Sequence, residues 1–272
     1  VGVLVRDPGK PRDVAPPRGL LLTDPGALLA REPDVVVEAI SGSSTGLALI
    51  RASLSRGIDV VSANKQAVGG DLPALTALAA ASGARLLYSA AVGGGTPAIE
   101  TVRRARAHGP VVSIEAVLNG TCNFILNRLA EGMAFDTALA AARAAGFAEE
   151  DSTADLTGLD AAAKLAILAW EAAGWGLPVE GVSRETLCAA RALPSGRVRQ
   201  IARLDIACRQ AGVAIEAAEG RPLFADLPDE SNALRVISAD GRVFTARGRG
   251  AGRAPTAESV WADLTDLLVP RD

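Results

Sequence analysis

The sequence predicts an α/β fold: a doubly wound parallel sheet followed by an α+β unit. Three observations carry that reading. Up to about Tyr88, short Val/Ile-rich runs alternate with helical stretches of about ten residues, the pattern of parallel strands covered on both faces. Beyond Ala91 the character changes to a mix of longer helices and strands, and the chain closes on one further helix near its end. The expected boundaries are therefore residues 1–88 for the first unit, with 251–272 packing back on it, and 89–250 for the second.

Each element has a local reason. Residues 1–5 form an apolar strand closed by the turn-rich Arg6-Asp7-Pro8-Gly9, and 11–17 is a Pro-rich loop. Residues 34–40 are a β-branched strand, followed by Ser41-Gly42-Ser43-Ser44 and a helix to about Arg56. A strand over 58–63, a helix over 72–81 and a strand over 85–88 complete the first unit. In the second, 91–97 is a glycine loop, 98–107 a helix and 113–118 a strand ending in Asn119-Gly120-Thr121. Helices follow over 122–129 and from about Ala134 to Gly146, whose freedom at positive φ suits a C-cap. Residues 147–155 read as an acidic loop, 158–173 as a long apolar helix and the stretch to about Val243 as strands and loops. A loop over 251–255 leads to a helix over 256–268 with Thr256 as N-cap and Ser259 in its first turn.

A doubly wound sheet of this kind is a Rossmann-type nucleotide-binding pattern, whose ligand lies beyond the carboxyl ends of the strands. Those ends carry Arg6, Ser41 and Asn64-Lys65. No Gly-x-Gly-x-x-Gly links a strand to a helix; Gly248-Arg249-Gly250-Ala251-Gly252 has neither that spacing nor that context. The chain opens at Val1 directly in a strand, so we expect an N-terminally incomplete unit without its first strand and phosphate loop.

Composition excludes several classes. The 272 residues are 49% hydrophobic and 22% charged, and the net charge of −3 gives no reason to expect nucleic acid or an anionic membrane as partner. No apolar run reaches the roughly 20 residues a bilayer requires. One histidine cannot build a His-based zinc site, and three widely spaced cysteines make no disulfide framework, which points to a reducing, cytoplasmic setting.

Only three of the 28 basic residues are lysines: Lys10, Lys65 and Lys164. Arginine stays charged near neutrality, whereas a lysine in a desolvated pocket can titrate and pass on a proton. Lys65 ends a strand, and Lys164 follows Asp160 by four residues, on one helix face. An exposed pair of this spacing is ordinary, but the residues around it, Ala161-Ala162-Ala163 and Leu165-Ala166-Ile167-Leu168, mark a buried helix, where a charge pair needs a reason.

Six segments in order resemble homoserine dehydrogenase over nearly the whole chain. They are residues 60–65 (Val-Val-Ser-Ala-Asn-Lys), 90–97 (Ala-Ala-Val-Gly-Gly-Gly-Thr-Pro), 118–121 (Leu-Asn-Gly-Thr), 146–149 (Gly-Phe-Ala-Glu), 155–165 from Asp-Leu-Thr-Gly-Leu-Asp to Lys-Leu, and 250–252 with 255–257. The resemblance implies NADP- or NAD-dependent interconversion of L-homoserine and L-aspartate 4-semialdehyde by a homodimer joined through the second unit's sheet. It makes 89–250 the catalytic, substrate-binding and dimerisation part. It also implies Lys65 and Lys164 as catalytic residues, with Lys164 nearer the substrate and Lys65 as acid/base or relay. Alcohol oxidation needs a base and aldehyde reduction an acid, and one lysine of depressed pKa can serve both.

By the same resemblance Glu149 and Asp160 hold the substrate's amino group, Thr121 and Gly120 line the site, and Asp155 braces the loop. Arg6, Ser41, Asn64, Lys65, Gly93, Gly94 and Gly252 are the expected cofactor contacts. Arg6 suits a 2′-phosphate, tempered by its neighbour Asp7, so NADP is mildly preferred. Glycines at 93–95 let backbone approach a ligand. A sodium ion held partly through main-chain carbonyls of Val92, Gly94 and Thr96 is also implied, although Ser89 stands where the family's motif usually carries Glu. Cys122 reads as a small buried thiol. Two alternatives remain open at this point: a non-catalytic remnant of the fold that cannot hold dinucleotide, and a related amino-acid dehydrogenase.

Overall fold

The computed structural model describes residues 1–14, 16–17 and 19–269. Ala15 of the expected 11–17 loop, Arg18, and residues 270–272 of the segment expected to pack back, lie outside the described residues.

The N-terminal part holds two parallel sheets. β1 (Val3–Leu4) pairs with β2 (Leu21–Leu22), and α1 (Pro25–Leu29) follows, capped by Asp24, whose carboxylate accepts from the Gly26 and Ala27 amides. β3 (Val35–Glu38), β4 (Asp59–Ser62) and β5 (Leu86–Leu87) form a second sheet in that order, connected by α2 (Ser44–Leu54), α3 (Lys65–Gly69) and α4 (Leu72–Ser82). Val36, Val60 and Val61 are buried, whereas Val37 of β3 is exposed. Among the described residues no strand pairing joins the two sheets, although Leu4 and Leu22 share an apolar cluster with Val36, Leu28 and Leu49. β2 and α1 are absent from the sequence reading because two leucines and a five-residue helix show no period.

The second part opens with α5 (Ala98–Arg106), β6 (Val111–Val117), α6 (Gly120–Ala130) and α7 (Phe135–Ala144). Then come α8 (Thr153–Leu156), α9 (Leu159–Ala173), β7 (Ser183–Arg184), β8 (Val198–Asp205) and β9 (Gln210–Ala217). α10 (Pro222–Ala225), β10 (Ser231–Ser238) and β11 (Val243–Arg249) complete it. The six strands run β11-β10-β6-β8-β9-β7, antiparallel except for β7 with β9. Alternation decides the faces. Ile114, Ala116, Ala202, Leu204, Leu234 and Val236 point into the core shared with α5 and α9. On the opposite face Arg203 pairs with Glu115 and Glu216, and Arg235 with Glu115. α8 is a helical turn within the stretch read as acidic loop.

α11 (Arg253–Leu267) corrects the expected start at Thr256. The first turn of a helix has no intrahelical use for its amides, so Pro255 fits inside it rather than ahead of it. Ser259 consequently lies beyond the first turn, where its hydroxyl donates to the Gly94 carbonyl. α11 packs against β4 and the 89–91 turn, where Asp263 accepts the Ser89 amide at 2.9 Å and Arg85 donates to the Leu267 carbonyl at 2.6 Å.

The glycine loop has a packing reason that the sequence reading did not contain. Gly94 has φ +56°, and a Cβ there would lie 2.9 Å from the Gly250 carbonyl oxygen. The backbone it approaches is the chain's own, at the end of β11. Gly94→Ala is therefore expected to lower stability by about 1–3 kcal/mol, measured by chemical denaturation.

Candidate active site

The site forms where the N-terminal ends of α3, α6 and α9 meet. Asn64 caps α3 with its Oδ1, which accepts from the Gln66 and Ala67 amides at 3.1 Å. Its Nδ2 donates to the carbonyls of Ile40 and Gly42 at 2.7 and 2.8 Å, tying the end of β3 to the end of β4. The buried Glu38 carboxylate completes this knot, accepting from the Ser62 hydroxyl at 2.6 Å and the Ile40 amide at 2.8 Å. A Cβ on Gly46 would sit 2.7 Å from both Asn64 and Glu38, so α2 can pass only with glycine at that position. Asn64 thus has its side chain committed to placing the strand ends. Lys65, the next residue, is delivered to the first turn of α3, and α3 lies against α9.

Both lysines converge on one carboxylate. Lys65 Nζ lies 2.9 Å from Asp160 Oδ1, and Lys164 Nζ donates to Asp160 Oδ2 at 2.8 Å and to the Leu118 carbonyl at 2.7 Å. Asp160 and Lys164 are both buried, whereas the Lys65 side chain keeps 35% of its exposure. Burial alone would push the Asp160 carboxyl up, but Lys164 and Lys65 outweigh it and hold the group well below the usual carboxylate range. Lys65 corrects the expectation of a depressed lysine. Burial pulls its ammonium down, yet the charge and hydrogen bond of Asp160, with Asp155 and Glu149 behind them, hold it above its ordinary value.

Asn119 was not singled out by the sequence reading as a functional residue. Its Oδ1 caps α6 by accepting the Cys122 amide at 2.8 Å, and its Nδ2 donates to Asp155 Oδ1 at 2.6 Å and Asp160 Oδ2 at 2.8 Å. The signal that could have found it is the N-cap position itself: an Asn directly before a helix beginning at Gly120. Asp155 is half-buried, and its carboxyl is raised by that burial, with the Asp160 charge adding to it against the Asn119 hydrogen bond. Thr121 reaches the Phe147 carbonyl at 2.6 Å, fixing the loop that carries the exposed Glu149. Gly120, half-buried, opens α6 beside them. The fully buried Cys122 thiol donates to the Asp155 carbonyl at 3.2 Å.

The other named residues lie around this centre. Arg6 and Ser41 are exposed beyond the ends of β1 and β3. Ser43, the N-cap of α2, makes no side-chain cap bond, so the first amides of that helix are available to an anionic group. These strand ends fit the polar portion of a dinucleotide. Gly93 and Gly94 are buried, and Gly252 is an exposed residue of φ +120° preceding α11. Val92, Gly94 and Thr96 follow the buried Ser89, whose amide donates to the buried Asp263 carboxylate at 2.9 Å. Among the described residues no group of three or more His, Cys, Asp or Glu side chains is arranged to hold a metal.

The chain is similar in sequence and fold to known proteins. The homoserine dehydrogenase family model matches residues 97–265, and the model of the homoserine dehydrogenase NAD binding domain matches residues 1–89. A homoserine dehydrogenase of Synechocystis sp. is 34% identical across 97% of this chain and 64% of its own length. The structure of a homoserine dehydrogenase from Thiobacillus denitrificans aligns with a TM-score of 0.85 at 32% identity, covering 92% of this chain and 61% of that one. A hyperthermophilic archaeal homoserine dehydrogenase in complex with NADPH aligns with a TM-score of 0.80 at 27% identity, covering 91% of this chain and 76% of that one. The chain spans a little under two thirds of the length of the Synechocystis relative.

Proposed function

Because this chain belongs to the homoserine dehydrogenase family, we propose that it interconverts L-homoserine and L-aspartate 4-semialdehyde with a nicotinamide dinucleotide. The observation that carries the reading is the pair of lysine ammoniums on the single buried carboxylate of Asp160. When bound, the dinucleotide supplies the hydride acceptor or donor. Arg6, Ser41, Lys65, the Gly93-Gly94 loop and Gly252 would hold it, with Asn64 fixing the strand ends beneath.

The remaining chemistry belongs to this chain. Lys164 has two of its three N–H bonds committed, to Leu118 and Asp160, which leaves one to share with the substrate oxygen. As the neutral amine, having released one proton to solvent, it accepts the hydroxyl proton in oxidation, and as the ammonium it donates a proton to the aldehyde oxygen in reduction. Lys65, kept cationic by Asp160, stabilises negative charge developing on that oxygen. Glu149 and the acidic pair Asp155/Asp160 provide the negative field that receives the substrate's ammonium, and Thr121 and Gly120 line the approach.

Finer assignments rest on single features. Arg6 favours NADP over NAD. The Ser89 hydroxyl, the Asp263 carboxylate and the carbonyls of Val92, Gly94 and Thr96 offer a monovalent cation a set of oxygen donors. The Glu115–Arg203–Glu216 face of the six-stranded sheet is where a second copy would dock. Three cysteines without a disulfide suit the cytoplasm.

Turnover tests the reading. Purified chain is expected to oxidise homoserine, and not aspartate, with NADP or NAD. No turnover and no dinucleotide binding at millimolar cofactor would overturn it, and turnover of aspartate would move it to another amino-acid dehydrogenase.

A further inference from the structure

The two carboxylates bridged by Asn119 are loaded unequally. Asp160 accepts Lys65 on one oxygen and both Lys164 and Asn119 on the other. The Asp155 carboxylate accepts Asn119 on Oδ1, and its Oδ2 has no hydrogen-bond partner among the described residues. Two carboxylates brought together repel each other; Lys65 and Lys164 offset that charge, and Asn119 is the group that donates to both. Asn119 does this in a fixed orientation. Its Oδ1 is committed to the Cys122 amide at 2.8 Å, so the amide cannot turn over without losing the helix cap, and both N–H bonds point at the acids. The main chain of Asp155 is held from the opposite side, where Cys122 and Gln200 donate to its carbonyl at 3.2 and 3.3 Å.

We propose that Asn119 is a positioning residue for the reaction assigned above. It divides its two amide hydrogens between Asp155 and Asp160, and so holds the open oxygen of Asp155 beside the lysine-loaded Asp160 to take a donor group of the substrate. The inference rests on the proposed reaction for its meaning, but the linkage of the two acids stands apart from it. Capping alone would make Asn119 replaceable by any capping residue. Bridging the acids would not.

Asn119→Asp separates the two roles, since Asp caps a helix as well as Asn but presents an oxygen where the acids need a donor. N119D is expected to fold with wild-type helicity and to lose about 10- to 100-fold in kcat/KM, because a small misplacement of a site group costs that much. The acid limb of its pH–rate profile is expected to move up by about one unit or more, as a third negative charge raises the Asp155 carboxyl further. Carbon-13 NMR titration of the Asp155 carboxyl, which needs no turnover, is expected to show the same upward displacement. An unchanged profile together with an unchanged titration would overturn the proposal. A displaced titration in a chain whose wild type does not oxidise homoserine would keep the bridge and discard the reaction. Should N119D not fold, N119S retains an oxygen for the cap but has one hydroxyl hydrogen in place of two amide hydrogens, so it cannot donate to both acids; wild-type kcat/KM and pH profile in N119S would equally sink the idea.

Discussion

Lys164→Met is expected to lower kcat for homoserine oxidation by about 10²- to 10⁴-fold, the range attributable to a positioned acid–base group. Methionine matches the length of the lysine stem without its charge, so packing against α9's apolar neighbours is largely retained. What disappears is the ammonium that links the Leu118 carbonyl, Asp160 and the substrate oxygen. Lys65→Met is expected to cost less in kcat, because Lys65 supplies charge rather than a transferable proton in this scheme. Steady-state kinetics of both variants at saturating cofactor decide the assignment. Equal losses would leave the two lysines undistinguished, and a larger loss at Lys65 would exchange their roles.

Asp160→Asn has the second large effect, and it falls on stability as well as rate. Removing one partner of a buried ion pair typically costs about 3–5 kcal/mol, and here two ammoniums lose their shared counterion. The sign with pH follows from the shift. The Asp160 carboxyl is lower in the folded chain than in the unfolded one, so its contribution is full above the unfolded value near about pH 4 and fades as pH falls toward the folded one. Urea unfolding of wild type and D160N is therefore expected to diverge at pH 7 and to converge as the pH drops below about 4. A difference that does not depend on pH would show that the carboxylate charge is not the stabilising element. Lys65 shifts the other way. Its raised value adds stability that is complete below the ordinary lysine pKa and is lost as pH rises through the folded one.

What the sequence made legible was periodicity and spacing. The valine runs at β3 and β4 and the apolar length of α9 declared themselves, and the four-residue step from Asp160 to Lys164 placed both on one helix face. Less could be read where a residue's meaning depends on what comes to meet it from far along the chain. Asn119 reads only as part of a strand end, because the two acids it joins lie 36 and 41 residues later. Nothing in the sequence marks Asp263, since only the fold brings it 174 positions back to Ser89. The direction of the Lys65 shift was misjudged for the same reason: desolvation could be guessed from apolar neighbours, but the counterion that outweighs it could not.

The return of α11 to the first sheet has a kinetic consequence. Ser89 and Arg85 acquire their partners at Asp263 and Leu267 only after the intervening polypeptide has been made and folded. Contacts of such separation are slow to close. During synthesis β4 and the 89–91 turn therefore stay incomplete until α11 has emerged from the ribosome. Removing α11 is expected to loosen β4 and the 89–91 turn first.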